Sequence, residues 1–70
     1  SLILTFKSKE VPQGSIYFYR PSNESQDFII DIKNHKMIIP LSKLDKGKWT
    51  VKVDWTADGD GFYEEEILYL

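Results

Sequence analysis

Residues 48–55 alternate strictly between apolar and polar side chains, and this alternation constrains the fold more than any other feature of the chain. The odd-numbered positions are apolar, namely Trp49, Val51, Val53 and Trp55, and the even-numbered positions are polar, namely Lys48, Thr50, Lys52 and Asp54. Because neighbouring side chains point to opposite faces of a β-strand, the pattern predicts a strand with one buried and one solvent-facing side. We expect Trp49 to lie in the core.

Five further segments are rich in β-branched and aromatic residues and are separated by turn-forming residues. They are residues 2–7, 15–20, 27–32, 36–40 and 62–70. We expect 36–40 to pair antiparallel with 27–32, and Leu41 with Leu44 to mark one short helical turn. Connections this short require mostly antiparallel strands. The pattern therefore predicts an all-β antiparallel sandwich or small barrel.

The last two strands should form a hairpin around a loop at residues 57–61. Pairing Trp55 with Tyr63 would place the apolar residues of both strands on the buried face. The same register sets Lys52 opposite Glu66 on the outer face, which is a favourable cross-strand charge pair. We therefore predict Trp55 opposite Tyr63.

Length and charge narrow the class of protein. Seventy residues allow one domain, residues 1–70, and the net charge of −2 comes from nine basic and eleven acidic residues mixed along the chain. A nucleic-acid-binding domain would show a basic face. Cysteine is absent, which removes disulfides, thiolate ligands and a cysteine nucleophile. No apolar run approaches the 18 or so residues of a membrane span, so we expect any anchor to precede Ser1.

The acidic loop near residue 58 raises the question of calcium. Aligned on an EF-hand loop, Asp58 and Asp60 take the third and fifth ligand positions, with Gly61 sixth. Thr56 and Ile67 then stand where the first and last acidic ligands belong. We therefore favour a glycine-rich hairpin turn over a weak surface cation site.

His35 and Met37 are the only histidine and the only methionine, two residues apart. On a strand they share a face, and imidazole with thioether suits Cu(I). Two ligands do not make a tight site, so we favour a turn histidine beside a core methionine and expect no metal or cofactor. The lone histidine has no apparent nucleophile or acid partner, and we predict that the domain is not an enzyme.

Three consecutive aromatic residues, Tyr17, Phe18 and Tyr19, cannot all face one core, because neighbours on a strand alternate. Part of this strand must lie outward. With Arg20 and the loop that follows, it is the candidate surface for a protein partner. A sugar-stacking patch is the alternative, and a solvated amphipathic strand face is the simplest explanation.

Several short motifs together resemble the FixH-like family, in particular its Bacteroidetes-type members. They are Tyr19-Arg20-Pro21-Ser22-Asn23, the strand end Ile38-Ile39-Pro40, Gly47-x-Trp49, Asp54-Trp55 and the closing Ile67-Leu68-Tyr69-Leu70. The similarity extends over nearly the whole chain.

The resemblance implies an immunoglobulin-like sandwich of six to seven strands on the periplasmic face of the bacterial inner membrane, tethered by an N-terminal transmembrane helix. It implies an assembly or maturation factor for cbb-type cytochrome c oxidase, encoded near a copper-transporting P-type ATPase. The expected partner is a membrane protein, either an oxidase subunit or another maturation factor. The family has no catalytic motif to carry over. A copper-handling domain using His35 and Met37, or a generic immunoglobulin-like binding module, is the alternative.

Overall fold

The computed structural model describes all residues from Ser1 to Leu70. Its six strands are β1 (Leu2–Thr5), β2 (Gln13–Tyr19), β3 (Phe28–Ile32), β4 (Lys36–Ile39), β5 (Lys48–Ala57) and β6 (Asp60–Tyr69). Two three-residue 3-10 turns, Glu24–Gln26 and Leu41–Lys43, lie in the connections. None of the helical segments has the length and hydropathy needed to cross a membrane.

The strands form two antiparallel sheets. The larger sheet has four strands in the order β3-β2-β5-β6, and the smaller one pairs β1 with β4. Apolar side chains from both sheets meet in a single core. The predicted all-β antiparallel sandwich is confirmed, with six strands.

Alternate residues along the strands face the core. The fully buried large side chains include Trp49, Phe18, Ile16 and Ile39. Trp49 is 1% exposed, which confirms its prediction as a core residue. Its ring meets Phe28 edge-on at 5.9 Å between ring centres, and Phe28 in turn stacks on Phe18 at 4.6 Å. This aromatic column joins β3, β2 and β5, and aromatic pairs of this kind add stability beyond the area that they bury.

The prediction that residues 36–40 pair with 27–32 is wrong. β3 pairs with β2, whereas β4 pairs with β1, so that Ile39 lies opposite Leu2. The short connection between β3 and β4 carries the chain from one sheet to the other. The reason is burial: the inner face of β3 carries Phe28, Ile30 and Ile32, which need a second layer above them, and β4 belongs to that layer.

The predicted register of the last hairpin is also wrong by one residue. Trp55 lies opposite Phe62, not Tyr63. The connection is a two-residue turn, Asp58–Gly59, closed by the pair of Ala57 with Asp60. Both turn residues have positive φ, 54° and 81°, as a type I′ turn requires.

The turn sets the register of the whole hairpin. Because the ladder starts from the pair of Ala57 with Asp60, Lys52 lies opposite Glu65, and the neighbouring glutamates Glu64 and Glu66 lie opposite Val53 and Val51. Two carboxylates therefore lie on the core-facing side of β6, at the open edge of the sandwich, where both remain solvent-exposed.

Candidate functional site

The aromatic run on β2 divides between core and surface. Phe18 is completely buried, whereas Tyr17 and Tyr19 lie on the outer face of the four-stranded sheet. Phe18 is therefore not available to a partner, and its place among the candidate contact residues is corrected: strand alternation sends its ring into the core. Tyr17 and Tyr19 stay candidates.

Strand order brings further large side chains to the same outer face. Ile29 on β3 is 60% exposed, and Tyr63, Ile67 and Tyr69 on β6 are 57%, 49% and 75% exposed. We call these four residues, together with Tyr17 and Tyr19, the tyrosine face. Sequence reasoning did not group them, because the strands that carry them are far apart along the chain.

The centre of the tyrosine face is held by contacts among its own side chains. The rings of Tyr17 and Tyr19 stack with centres 6.2 Å apart and planes within 13°. The ammonium nitrogen of Lys52, on the adjacent β5, lies 4.9 Å from the centre of the Tyr19 ring, within cation–π range. These contacts restrict the rotamers of side chains that a partner would meet, which lowers the entropy lost on binding.

Tyr63 forms the other end of this surface. Its hydroxyl donates a hydrogen bond to the carboxylate of Glu65 at 3.1 Å. Partial desolvation, then this hydrogen bond and the nearby negative charge, raise the pKa of Tyr63 above its ordinary value. The hydroxyl therefore stays neutral at physiological pH, and the tyrosine face presents rings and hydroxyls rather than phenolate.

Arg20 has a structural role that the sequence did not reveal. Its guanidinium donates hydrogen bonds to the backbone carbonyls of Asp45, at 3.0 Å, and of Lys46. The indole N–H of Trp49 donates to the same Asp45 carbonyl at 2.9 Å. Arg20 thus fastens the loop before β5 to the end of β2, and its two terminal nitrogens are used within the domain.

Gly47 completes this cluster, which we call the arginine clasp (Arg20, Asp45, Gly47 and Trp49). Gly47 has a φ of +121°, and a Cβ there would lie 3.0 Å from a terminal nitrogen of Arg20. The position therefore favours glycine on two grounds, backbone conformation and space. No local pattern in the sequence links these positions, because Arg20 and Asp45 are 25 residues apart.

His35 and Met37 each make contacts within the domain. One ring nitrogen of His35, Nε2, is 3.0 Å from the backbone carbonyl of Ser8, and Met37 packs against the core from β4. A bond to a carbonyl uses Nε2 as a donor, which leaves Nδ1 as the one ring nitrogen that could ligate a metal. No group of three or more His, Cys, Asp or Glu side chains is placed to hold a metal ion.

Asp58 acts as a structural anchor in the hairpin turn. Its two carboxylate oxygens accept backbone N–H bonds from Lys9 at 2.9 Å and Glu10 at 2.8 Å. These bonds, first that of Glu10 and then that of Lys9, lower the pKa of the Asp58 carboxyl, with a smaller contribution from His35. The loop is a hairpin turn, as predicted, but it is confined to Asp58–Gly59, and Gly61 lies in β6 without a positive φ. The turn is tied to the connection between β1 and β2.

Fold and surface define a small antiparallel β-sandwich domain with an exposed tyrosine-rich sheet face and an arginine clasp at one end. The FixH family model matches residues 2–69, and the chain therefore belongs to the FixH family. Neither a curated protein nor a solved structure matches the chain.

Proposed function

We propose that this chain is the non-catalytic periplasmic domain of a membrane-anchored assembly or maturation factor for a cbb-type cytochrome c oxidase. The observation that carries the proposal is the family match over residues 2–69. The partner is a membrane protein of the oxidase pathway, either a subunit or another maturation factor.

The tyrosine face is the surface proposed to bind that partner. Tyrosine is among the residue types that dominate binding energy in protein interfaces, because it buries a large rigid ring and keeps a polar hydroxyl. Ile29, Ile67 and Tyr69 are large side chains that remain exposed in the domain. Tethering both proteins in one membrane raises their effective concentration, so a weak intrinsic affinity is sufficient.

The test combines gene deletion with complementation by the full-length protein. Deletion should lower the amount of assembled oxidase and its haem content in membranes, and the unmodified gene should restore both. Complementation with Ile67→Ser and Tyr69→Ser together should fail, because it removes two exposed anchors without opening the core.

The matched control is Ile3→Ser with Ile38→Ser, a cross-strand pair on the outer face of the small sheet, 53% and 59% exposed. It removes comparable exposed apolar area elsewhere and should complement normally. Normal oxidase levels in the deletion strain would end the proposed function. If deletion lowers the amount of assembled oxidase but both double variants restore it, the tyrosine face is not the binding surface.

A further inference from the structure

β6 is the last strand of the four-stranded sheet and the longer of its two edge strands. It spans ten residues and pairs only with β5. Its other side therefore presents a row of backbone N–H and C=O groups without strand partners. Exposed edges of this length are usually covered or blunted, because they are templates for pairing with another chain.

The hydrogen-bonding pattern between β5 and β6 identifies the residues of β6 whose backbone groups lie at this edge. Gly47 and Leu70 exchange both backbone hydrogen bonds, at 2.8 and 2.9 Å. Hydrogen-bonded and non-hydrogen-bonded pairs alternate along an antiparallel ladder. Counting back from Leu70, the residues whose backbone groups point away from β5 are Tyr63, Glu65, Ile67 and Tyr69.

An apolar groove opens on the inner side of the same strand. It has a volume of about 210 Å³ and lies between β1 and β6. Leu2, Leu4 and Leu68 form its walls, and Val51 and Val53 form its floor. Every residue of β6 except Leu68 is exposed, so this part of the larger sheet is left largely uncovered.

Two carboxylates line the groove without a basic neighbour. Glu64 and Glu66 are two residues apart on the inner side of β6, and none of the residues lining the groove is lysine or arginine. Their cross-strand neighbours on β5 are valines. Two basic side chains would pair best with Glu64 and Glu66 if they had the same spacing as the two carboxylates. Alternate residues on an extended strand have that spacing.

We infer that the free edge of β6 accepts an extended segment of a partner polypeptide as an added strand, with basic residues at two alternate positions opposite Glu64 and Glu66. The backbone groups of Tyr63, Glu65, Ile67 and Tyr69 would pair with the segment. Glu64 and Glu66 then occupy non-hydrogen-bonded positions, where cross-strand side chains approach most closely. Apolar residues flanking the basic pair contact Leu68 and the groove.

Self-pairing of β6 centred on Glu65 is disfavoured. Antiparallel pairing of β6 with itself around Glu65 would set Glu64 opposite Glu66 in both directions. Like charges directly opposite one another destabilise a strand pair. A basic partner segment instead places opposite charges at these two positions, which favours it over self-association in this register. The inference stands on β6 and its groove and is independent of the oxidase role.

The test uses amide hydrogen exchange with a synthetic peptide of about nine residues, in which two lysines at alternate positions are flanked by leucines and the intervening residues are threonines. Saturating peptide should slow exchange at Tyr63, Glu65, Ile67 and Tyr69 by at least about fivefold, because these amides gain strand partners. A peptide with glutamate in place of both lysines should leave their exchange unchanged.

The double variant Glu64→Gln, Glu66→Gln should bind the lysine peptide with roughly 3- to 10-fold lower affinity, since it removes two cross-strand charge pairs. Glu10→Gln with Glu24→Gln changes net charge equally at exposed sites outside the groove and should bind within twofold or so of the parent. Both variants should melt like the parent. The inference would be overturned if both variants bound the lysine peptide equally well, or if the peptide slowed exchange only in other strands. It would also be overturned if exchange in β6 slowed with increasing protein concentration in the absence of peptide.

Discussion

The guanidinium carbon of Arg20 lies 5.1 Å from the centre of the Trp49 ring, and the backbone carbonyl of Asp45 accepts a hydrogen bond from both side chains. Gly47 lies close beneath the guanidinium. Two short motifs on which the family resemblance rests, one at the end of β2 and one at the start of β5, are thus parts of one structural unit. We therefore expect these residues to serve folding rather than partner binding.

Trp49 should be a main determinant of stability. Trp49→Ala should lower the free energy of unfolding by about 3–5 kcal/mol, because it leaves a large cavity where the side chain is fully buried. Trp49→Phe should cost less, since it keeps an aromatic ring and loses the hydrogen bond to Asp45. Urea denaturation measures both. Tyr69→Ala, at a position 75% exposed, is the control and should change stability by less than about 0.5 kcal/mol.

Gly47 and Arg20 should be energetically coupled. Gly47→Ala should destabilise the domain by about 1–3 kcal/mol, because it combines backbone strain with a Cβ crowding the guanidinium. In an Arg20→Ala background the steric part disappears, so the same change should cost less. A double-mutant cycle measures the difference.

Gly61→Ala is the matched control for this cycle. Gly61 has no positive φ, and a Cβ there would meet nothing within 4 Å. It should therefore be close to neutral in both backgrounds. Strictly additive costs for Gly47→Ala and Arg20→Ala would contradict the clasp as a unit.

Asp58 should make stability depend on pH at the acidic end. Because the folded state lowers the pKa of Asp58 below 3.8, its contribution is present above that value and is lost as pH falls through the folded-state pKa. Asp58→Asn keeps a residue that tolerates positive φ but accepts only through one amide oxygen. The stability difference between parent and Asp58→Asn should therefore shrink between about pH 7 and pH 2.

Thermal melts across that pH range test this prediction, with Asp60→Asn as the charge-matched control. Asp60 begins β6 and makes no side-chain hydrogen bond comparable to the two made by Asp58. A stability difference for Asp58→Asn that stays constant down to the lowest pH would show that the carboxylate charge does not matter.

Copper should bind this domain weakly. His35 Nε2 donates to the Ser8 carbonyl, which leaves only Nδ1 to ligate a metal, and Met37 packs against the core, so a metal ion would find at most these two ligands. Competition titration of Cu(I) against a chelator should therefore show no sub-micromolar site. A tight site that His35→Ala abolishes would instead support the copper-handling hypothesis.

The amino-acid sequence predicts the β class and the buried face of β5, including the core position of Trp49. These follow from alternation of side chains along a strand, which is a local property of the backbone. The register of the last hairpin was also locally encoded, because Asp58-Gly59 is a preferred type I′ pair. Cross-strand pairing of apolar side chains favours a register one residue away, but the type I′ turn at Asp58-Gly59 sets the register that the structure adopts.

Which strands lie side by side follows from packing of the whole chain, and the candidate surfaces depend on that strand order. The tyrosine face exists because β3, β2, β5 and β6 lie in this order, which brings Ile29 and Tyr69 to one side of the sheet. The arginine clasp joins Arg20 to Asp45, 25 residues away. Contacts between such distant positions leave no periodic trace in the sequence, because they are selected by burial of the whole core rather than by any local pattern.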